Sequence, residues 1–211
     1  MQTKIVNFTK NKNIITEAID ILRVGSVIAF PTETVYGIGC DFGNNEAIKK
    51  IYQIKGRSFD KPLAAHIGDF EQIKMLSDEI PDIFYRLAEV FLPGPLSIII
   101  KKKQSVSDLM TSGLDTVAIR FPSNSFAIEL IRNFGKPLAA TSANISGGQS
   151  PVNSQEVYDQ LSGKIPLIID TGETIEKIAS TVISIVGSPK ILRVGAIKTE
   201  EIEAVLGQKL H

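Results

Sequence analysis

The strongest constraint on how this chain can fold is an alternation: short, β-rich apolar runs are interleaved along its length with apolar residues at helical spacing. Ile14, Ile15, Ala18, Ile19 and Leu22 form a helical stripe that stops at Gly25, and SVIAF (residues 26–30) follows as a buried strand. Asn44 or Asn45 caps a helix whose stripe is Ala47, Ile48, Ile51 and Tyr52 and which ends near Lys55-Gly56. PLAAHI (62–67) reads as a strand, Asp69 as the cap of a helix that turns Phe70, Ile73 and Leu76 inward, and residues 81–91 as a helix stopped by Pro93-Gly94-Pro95. The second half repeats the grammar. Strands LSIII (96–100) and VAIRF (117–121) precede a helix over 126–134 with Gly135 as its stop, and strand PLAAT (137–141) runs into the loop SANISGGQSP (142–151). A helix opened by the capping-box-like pair Asn153 and Glu156 comes next, then strands LIID (167–170), TVISI (181–185) and KILRV (190–194) and a closing helix near 199–206. This interleaving predicts an α/β layered fold. No composition shift marks a linker, so one domain over residues 1–211 is expected.

Composition removes several function classes. The 23 basic and 23 acidic side chains cancel, which leaves no general electrostatic argument for a nucleic-acid or membrane partner. No apolar run approaches the roughly 20 residues needed to cross a bilayer, and MQTKIVNFTKNKN lacks the order of a signal peptide; a cytoplasmic protein is expected. One cysteine and two histidines make a poor structural zinc set, and Cys40 reads as a small buried apolar side chain. There is no G-x-x-x-x-G-K-S/T phosphate loop, and GIGCDFG misses the dinucleotide-binding spacing by one residue. LIIDTGE resembles half of an aspartic protease, but the surrounding α/β pattern is wrong for that fold and Asp170-Thr171-Gly172 is more simply a strand-ending turn.

Chemistry collects at strand ends. PTETVYG (31–37) places hydroxyls and a carboxylate after SVIAF, where open α/β sheets bind ligands. Lys55, Arg57 and Lys61 put three cations around one turn; a solvated basic loop is the ordinary explanation, and a polyphosphate held by an arginine fork and flexible ammonium groups is the sharper one. SANISGG offers the complement in the hydroxyls of Ser142 and Ser146, the amide of Asn144 and glycines that let backbone N–H groups approach an anion. Arg120 interrupts the apolar VAIRF and must be paired or exposed, or else grips a ligand carboxylate. His66 in PLAAHI, taken alone, reads more often as a satisfied core or edge histidine than as a functional one, and Ser180 and Thr181 at the start of a strand are as easily structural.

Taken together, PTETVYGIG, the K-x-R of Lys55 and Arg57, Lys61-Pro62-Leu63, LPGPLSIII, VAIRFP, TSANISG, STVI and ILRVGAI closely resemble the YrdC/TsaC family, the threonylcarbamoyl-AMP synthases, in order from about Gly25 to Ile197. The resemblance implies a twisted, mixed, open sheet flanked by helices, with a large concave cavity. It implies that L-threonine, bicarbonate or CO2, and ATP (with Mg²⁺) give threonylcarbamoyl-AMP and pyrophosphate, for N6-threonylcarbamoylation of adenosine 37 in tRNA by separate transfer proteins. By matching position, Thr34, His66, Arg120, Ala140 and Ser180 would hold threonine; Arg57, Lys61, Thr116, Ser142, Ser150 and Arg193 would surround ATP; and Lys55, Arg57, Ser142 and Asn144 would be the catalytic K-x-R and S-x-N pairs. The metal ligands stay unidentified, and Glu33 is a candidate general base. Ser58 stands where the family usually has proline, and DTG where D-G-G is more common. The chain ends soon after ILRVGAI, so the short, single-domain form is expected. Two other readings stay open: a double-stranded RNA-binding or tRNA-contacting module, which the family's positive cavity suggests and zero net charge disfavours, and a riboflavin-pathway lyase of the same fold, whose acidic metal cluster is not found.

Overall fold

The computed structural model describes residues 1–11 and 13–210. In chain order these form β1 (Lys4–Asn7), α1 (Ile14–Arg23), β2 (Ile28–Phe30), β3 (Gly37–Asp41), α2 (Asn45–Lys55), β4 (Ala64–His66), α3 (Asp82–Phe91), β5 (Leu96–Lys101), α4 (Asp108–Thr111), β6 (Thr116–Arg120), α5 (Ser125–Phe134), β7 (Leu138–Ser142), α6 (Ser154–Leu161), β8 (Leu167–Asp170), β9 (Thr181–Ser184), β10 (Lys190–Arg193) and α7 (Thr199–Leu206). The strands make one open sheet in the order β1-β8-β2-β3-β7-β4-β6-β5-β9-β10. Pairs β1/β8, β2/β8, β4/β6 and β5/β9 are parallel and the other five antiparallel, so the expected mixed sheet is found.

Local chemistry explains the helix ends. The Asn44 side chain accepts from the Ala47 N–H at 3.0 Å and caps α2, and Asn153 accepts from the Glu156 N–H at 2.9 Å to open α6. Gly56 closes α2 in the left-handed region (φ 58°), which lets the chain reverse between Lys55 and Arg57. Asp69 does cap a helix, but a short 3-10 one (Phe70–Met75). Ile73 and Leu76 face inward as expected; Phe70 instead stays exposed, its ring edge-on to Phe121.

Two strands were not expected. β1 is a short, half-exposed edge strand that pairs only with β8, so its sequence carries no buried pattern. β3 is the glycine-rich GIGCD, which reads as a turn until its neighbours are known. A Cβ on Gly39 would come within 2.9 Å of the Phe30 ring; glycine lets that ring lie across the strand. Cys40 is buried in β3, as expected, and burial pushes its thiol pKa up.

Alternate strand residues feed two cores. Val27, Ala29, Ile38, Cys40, Ala65, Ile98, Ile119 and Ile183 face the layer of α2, α3, α6 and α7. Ile28, Phe30, Leu138, Ala140, Leu167 and Ile169 face α1 and α5, which pack on each other. That second layer is incomplete. On its side of the sheet the residues of β4, β6, β5 and β9, among them Ala64, His66, Ala118, Arg120, Ser97 and Val182, belong to neither core and line a cavity. No helix among the described residues is long and apolar enough to cross a membrane.

Candidate active site

The cavity encloses about 370 Å³ and is floored by the sheet where the α1/α5 layer stops. Its size is that of a small-molecule site. Strand register divides the floor into rows. The deep row runs His66, Arg120, Ser97, Val182 across β4, β6, β5 and β9. The next runs Ala140, Ala64, Ala118, Ile99 across β7, β4, β6 and β5, and beyond it lie Ser142 and Thr116.

At the deep end Arg120 is 3% exposed and ion-paired with Glu33, itself 5% exposed: Nη2 donates to Glu33 Oε1 at 2.6 Å and to Thr34 Oγ1 at 3.2 Å. Glu33 Oε2 accepts from the Ser123 N–H at 3.1 Å, so both carboxylate oxygens are engaged. Glu33, the candidate base, thus lies outside the cavity wall with its carboxylate bound to Arg120 and the Ser123 N–H. Arg120 Nε and His66 Nδ1 are buried without a partner. Burial, then the neighbouring Arg120, lowers the His66 pKa to about 3, so the ring is neutral. The loop 31–37 is shaped by Thr32, whose hydroxyl donates to the Val35 carbonyl at 2.6 Å and accepts from the Thr34 and Val35 N–H groups.

Arg193 enters from β10. Its Nε and Nη2 donate to the Ser180 carbonyl at 3.0 and 2.8 Å and Nη2 reaches Ser180 Oγ at 3.1 Å, while Ser180 Oγ meets Ser97 Oγ at 3.0 Å. Gly195 makes this possible, since a Cβ there would lie 2.1 Å from the Ala179 carbonyl oxygen. Thr181 is structural: its hydroxyl donates to Ile197 and accepts from Gly195 and Ile197. Burial, then Arg120 and Arg57, holds the Arg193 pKa below its ordinary value.

At the outer end Arg57 donates from Nε to the Lys61 carbonyl at 3.0 Å and from Nη2 to the Pro62 carbonyl at 3.1 Å. Lys61 contributes that carbonyl, and its side chain lies outside the wall. Lys55 is also outside it, 1% exposed, its ammonium donating to the Ser142 carbonyl at 2.5 Å, to the Asn144 carbonyl, and to Asn144 Oδ1 at 3.3 Å. Asn144 Oδ1 accepts from Ser142 Oγ at 2.5 Å, and its amide donates to the Ile145 and Gly148 carbonyls. The Lys55 ammonium and the Asn144 amide thus bond to the Ser142–Gly148 loop, and both residues lie outside the cavity wall. Burial, then Arg57, lowers the Lys55 pKa to about 7.

Of the residues expected at the site, the fold brings Thr34, Arg57, His66, Thr116, Arg120, Ala140, Ser142, Ser150, Ser180 and Arg193 to one cavity. It adds Thr32, Tyr36 and Ser97. Ser97 was visible as the single hydroxyl in LSIII. Tyr36 donates to the Gly172 carbonyl at 2.7 Å, and burial raises its pKa to about 12. The wall contains no carboxylate, and no group of three or more His, Cys, Asp or Glu among the described residues could hold a metal ion.

A sheet-floored cavity ringed by three guanidiniums and hydroxyls, without an acid in its wall, defines an α/β anion-binding pocket. The chain belongs to the Sua5/YciO/YrdC family, whose model, described as "Telomere recombination", matches residues 20–195. It is 45% identical over 196 residues to a threonylcarbamoyl-AMP synthase of Pyrococcus abyssi, covering 92% of this chain and 58% of the relative. A Bacillus subtilis protein of the same name is 45% identical over 195 residues, 92% of this chain and 56% of the relative. The structure superposes on P. abyssi Sua5 in complex with L-threonine with a TM-score of 0.94 at 42% identity, covering 99% of this chain and 63% of that one. The chain thus spans little more than half the length of these two relatives.

Proposed function

We propose that this chain is a threonylcarbamoyl-AMP synthase, a nucleotidyltransferase that joins L-threonine, bicarbonate or CO2, and ATP into threonylcarbamoyl-AMP with release of pyrophosphate. The observation that carries the reading is the convergence of Arg57, Arg120 and Arg193 on one acid-free cavity with unpartnered groups on His66 and Arg120 at its deep end. The names of the relatives and the threonine bound to P. abyssi Sua5 support it.

Threonine binds with its carboxylate on Arg120, beside Thr34, His66 and Ser180. Its neutral amine attacks CO2 and gives up a proton to solvent as the carbamate forms, and a carbamate oxygen attacks the α-phosphorus of ATP as the bond from phosphorus to the pyrophosphate oxygen breaks. Neutral His66 adds no charge and accepts or donates one hydrogen bond. Arg57 and Arg193 offset the repulsion between carbamate and triphosphate and the charge that builds on the leaving pyrophosphate. Ser142, Ser150 and Thr116 orient the nucleotide, with Ser142 set by Lys55 and Asn144. Binding two labile reactants side by side supplies effective concentration. The wall offers no donor set for a resident metal, so Mg²⁺ enters on the triphosphate as part of the substrate.

The product feeds N6-threonylcarbamoylation of tRNA adenosine by separate transfer proteins in the cytoplasm. A duplex RNA reading has less support, since the converging guanidiniums lie inside a cavity of about 370 Å³, far too small for a helix groove. The test is pyrophosphate release by purified protein with threonine and bicarbonate each present or omitted. Release that requires both is expected. Absence of release from folded, ATP-binding protein refutes the reading.

A further inference from the structure

The alanine row across the cavity floor is unlike its surroundings. Ala64 stands opposite both Ala140 and Ala118, and Ala118 opposite Ile99, so three methyls lie side by side across β7, β4 and β6. Their strand neighbours Ala65, Val117 and Ile119 are buried in the core, whereas Ala64 and Ala118 are half-buried and open into the cavity. One row deeper stands His66, more than nine-tenths buried with Nδ1 unpartnered, beside Arg120 with Nε unpartnered. One row outward stand Ser142 and Thr116. Adjacent rows are two residues, or about 6.8 Å, apart along a strand.

We propose that the alanine row is where the reacting ends of the two substrates meet, and that the small size of Ala64 and Ala118 is required for turnover rather than for binding either substrate. The inference rests on the synthase reading above. A carboxylate held by Arg120 lies about 2.8 Å from the guanidinium nitrogens. From its carbon, through Cα and N, to the carbamate carbon is about 3.5 Å by ordinary bond lengths. With the carboxylate C–O bond of about 1.3 Å between them the path is about 7 Å, close to one row spacing, which puts the carbamate of a threonine anchored in the deep row over Ala64 and Ala118. A triphosphate held by Arg57 and Ser142 reaches the same row from the outer side. There a carbamate oxygen forms its bond to the α-phosphorus, the bond from phosphorus to the bridging oxygen breaks, and the electron pair leaves with pyrophosphate; no proton moves in this step. A side chain larger than methyl would fill that gap while leaving both anchor points untouched.

Ala64→Val, Ala118→Val and Ala118→Leu test this. The added carbons project into the cavity rather than the core, and valine suits a strand. Threonine and ATP affinities are measured separately by calorimetry, and pyrophosphate release is measured with all substrates present. Each separate affinity is expected to stay within about threefold of the parent while turnover falls about 100-fold, as for reactants held an ångström out of line. Unchanged turnover in folded variants overturns the inference, as does a loss of either affinity as large as the loss of turnover, which would place the row inside one binding subsite. If the parent itself releases no pyrophosphate, the synthase reading and this inference fall together. An active parent with unimpeded variants sinks this inference alone.

Discussion

Lys55→Met separates two roles that a buried cation beside the Ser142–Gly148 loop can have. The ammonium is enclosed by the Ser142 carbonyl, the Asn144 carbonyl and Asn144 Oδ1, and the Lys55 carbonyl accepts from the Ser146 N–H at 2.8 Å, so the end of α2 is tied to the loop from both sides. Methionine keeps a side chain of similar reach and removes every donor. Asn144 Oδ1 retains Ser142 Oγ as a partner, which leaves two carbonyl oxygens unsatisfied. At about 1–3 kcal/mol for each buried acceptor the loss is about 2–6 kcal/mol. Loss of the buried charge gives part of this back, since its desolvation is what lowers the Lys55 pKa, and a net destabilisation of about 2–4 kcal/mol is expected. Urea unfolding reads this as a lower midpoint at unchanged slope. With the loop released, Ser142 loses its position, and turnover falls while threonine affinity at the far end of the cavity is kept. Lost turnover at unchanged stability would mean that the ammonium acts on the phosphates directly. Unchanged stability and turnover together would refute the clamp altogether.

Arg57→Ala should reduce turnover sharply in a folded protein, because its exposed hydrogen bonds to Lys61 and Pro62 contribute little to stability; full activity in that variant would remove its phosphate role. Arg120→Ala should raise the threonine requirement far more than the ATP requirement, and equal losses would count against the carboxylate assignment. The same change strands Glu33 as a buried charge and should cost about 3–5 kcal/mol of stability. Adding Glu33→Gln should recover part of that cost, and no recovery in paired denaturation curves would contradict a direct ion pair. The Lys55 pKa of about 7 lies below the ordinary 10.5, so between these values the unfolded chain carries the extra proton and the Lys55 contribution to stability rises with pH, flattening below about 7. Lys55→Met should remove that slope, and identical pH dependence of unfolding in parent and variant would show that Lys55 is not perturbed.

The sequence carried most of the elements because their signals are local. Asn44, Asn153, Gly56 and Gly135 mark helix ends through chemistry confined to a few residues, and the stripes of α1 and α5 announce their buried faces. β1 and β3 were illegible because what makes them strands is their neighbours: β8 for the first, β2 and β7 for the second. The inward turn expected of Phe70 failed for a similar reason, since the helix there is 3-10 and its periodicity differs from the stripe assumed. At the site, the family resemblance was enough to name ten residues of the cavity wall, but not their depth. Nothing in K-x-R says that Lys55 points behind the loop and Arg57 into the cavity; the left-handed Gly56 between them decides it. Nor does PTETVYG say that its carboxylate is already bonded to Arg120.

That last bond divides the cavity electrically. Glu33 compensates Arg120, so the deep end is a neutral ion pair with neutral His66 beside it, and the hydrogen-bonding atoms still unpartnered there suit a single carboxylate on a small zwitterion. Among the described residues Arg57 and Arg193 have no such carboxylate partner; the Coulomb repulsion that Arg57 and Arg120 exert on Arg193 is an unfavourable interaction that an arriving polyanion relieves. The compensation follows from the fold: β6 brings Arg120 within reach of the loop after β2, whereas Arg193 comes from an edge strand and Arg57 from a helix exit where Asp60 attracts it without forming an ion pair. A polyanion laid against Arg120 would meet a carboxylate already in place, whereas one laid against Arg57 and Arg193 would not. On the synthase reading, one buried carboxylate therefore biases which ligand charge each guanidinium takes.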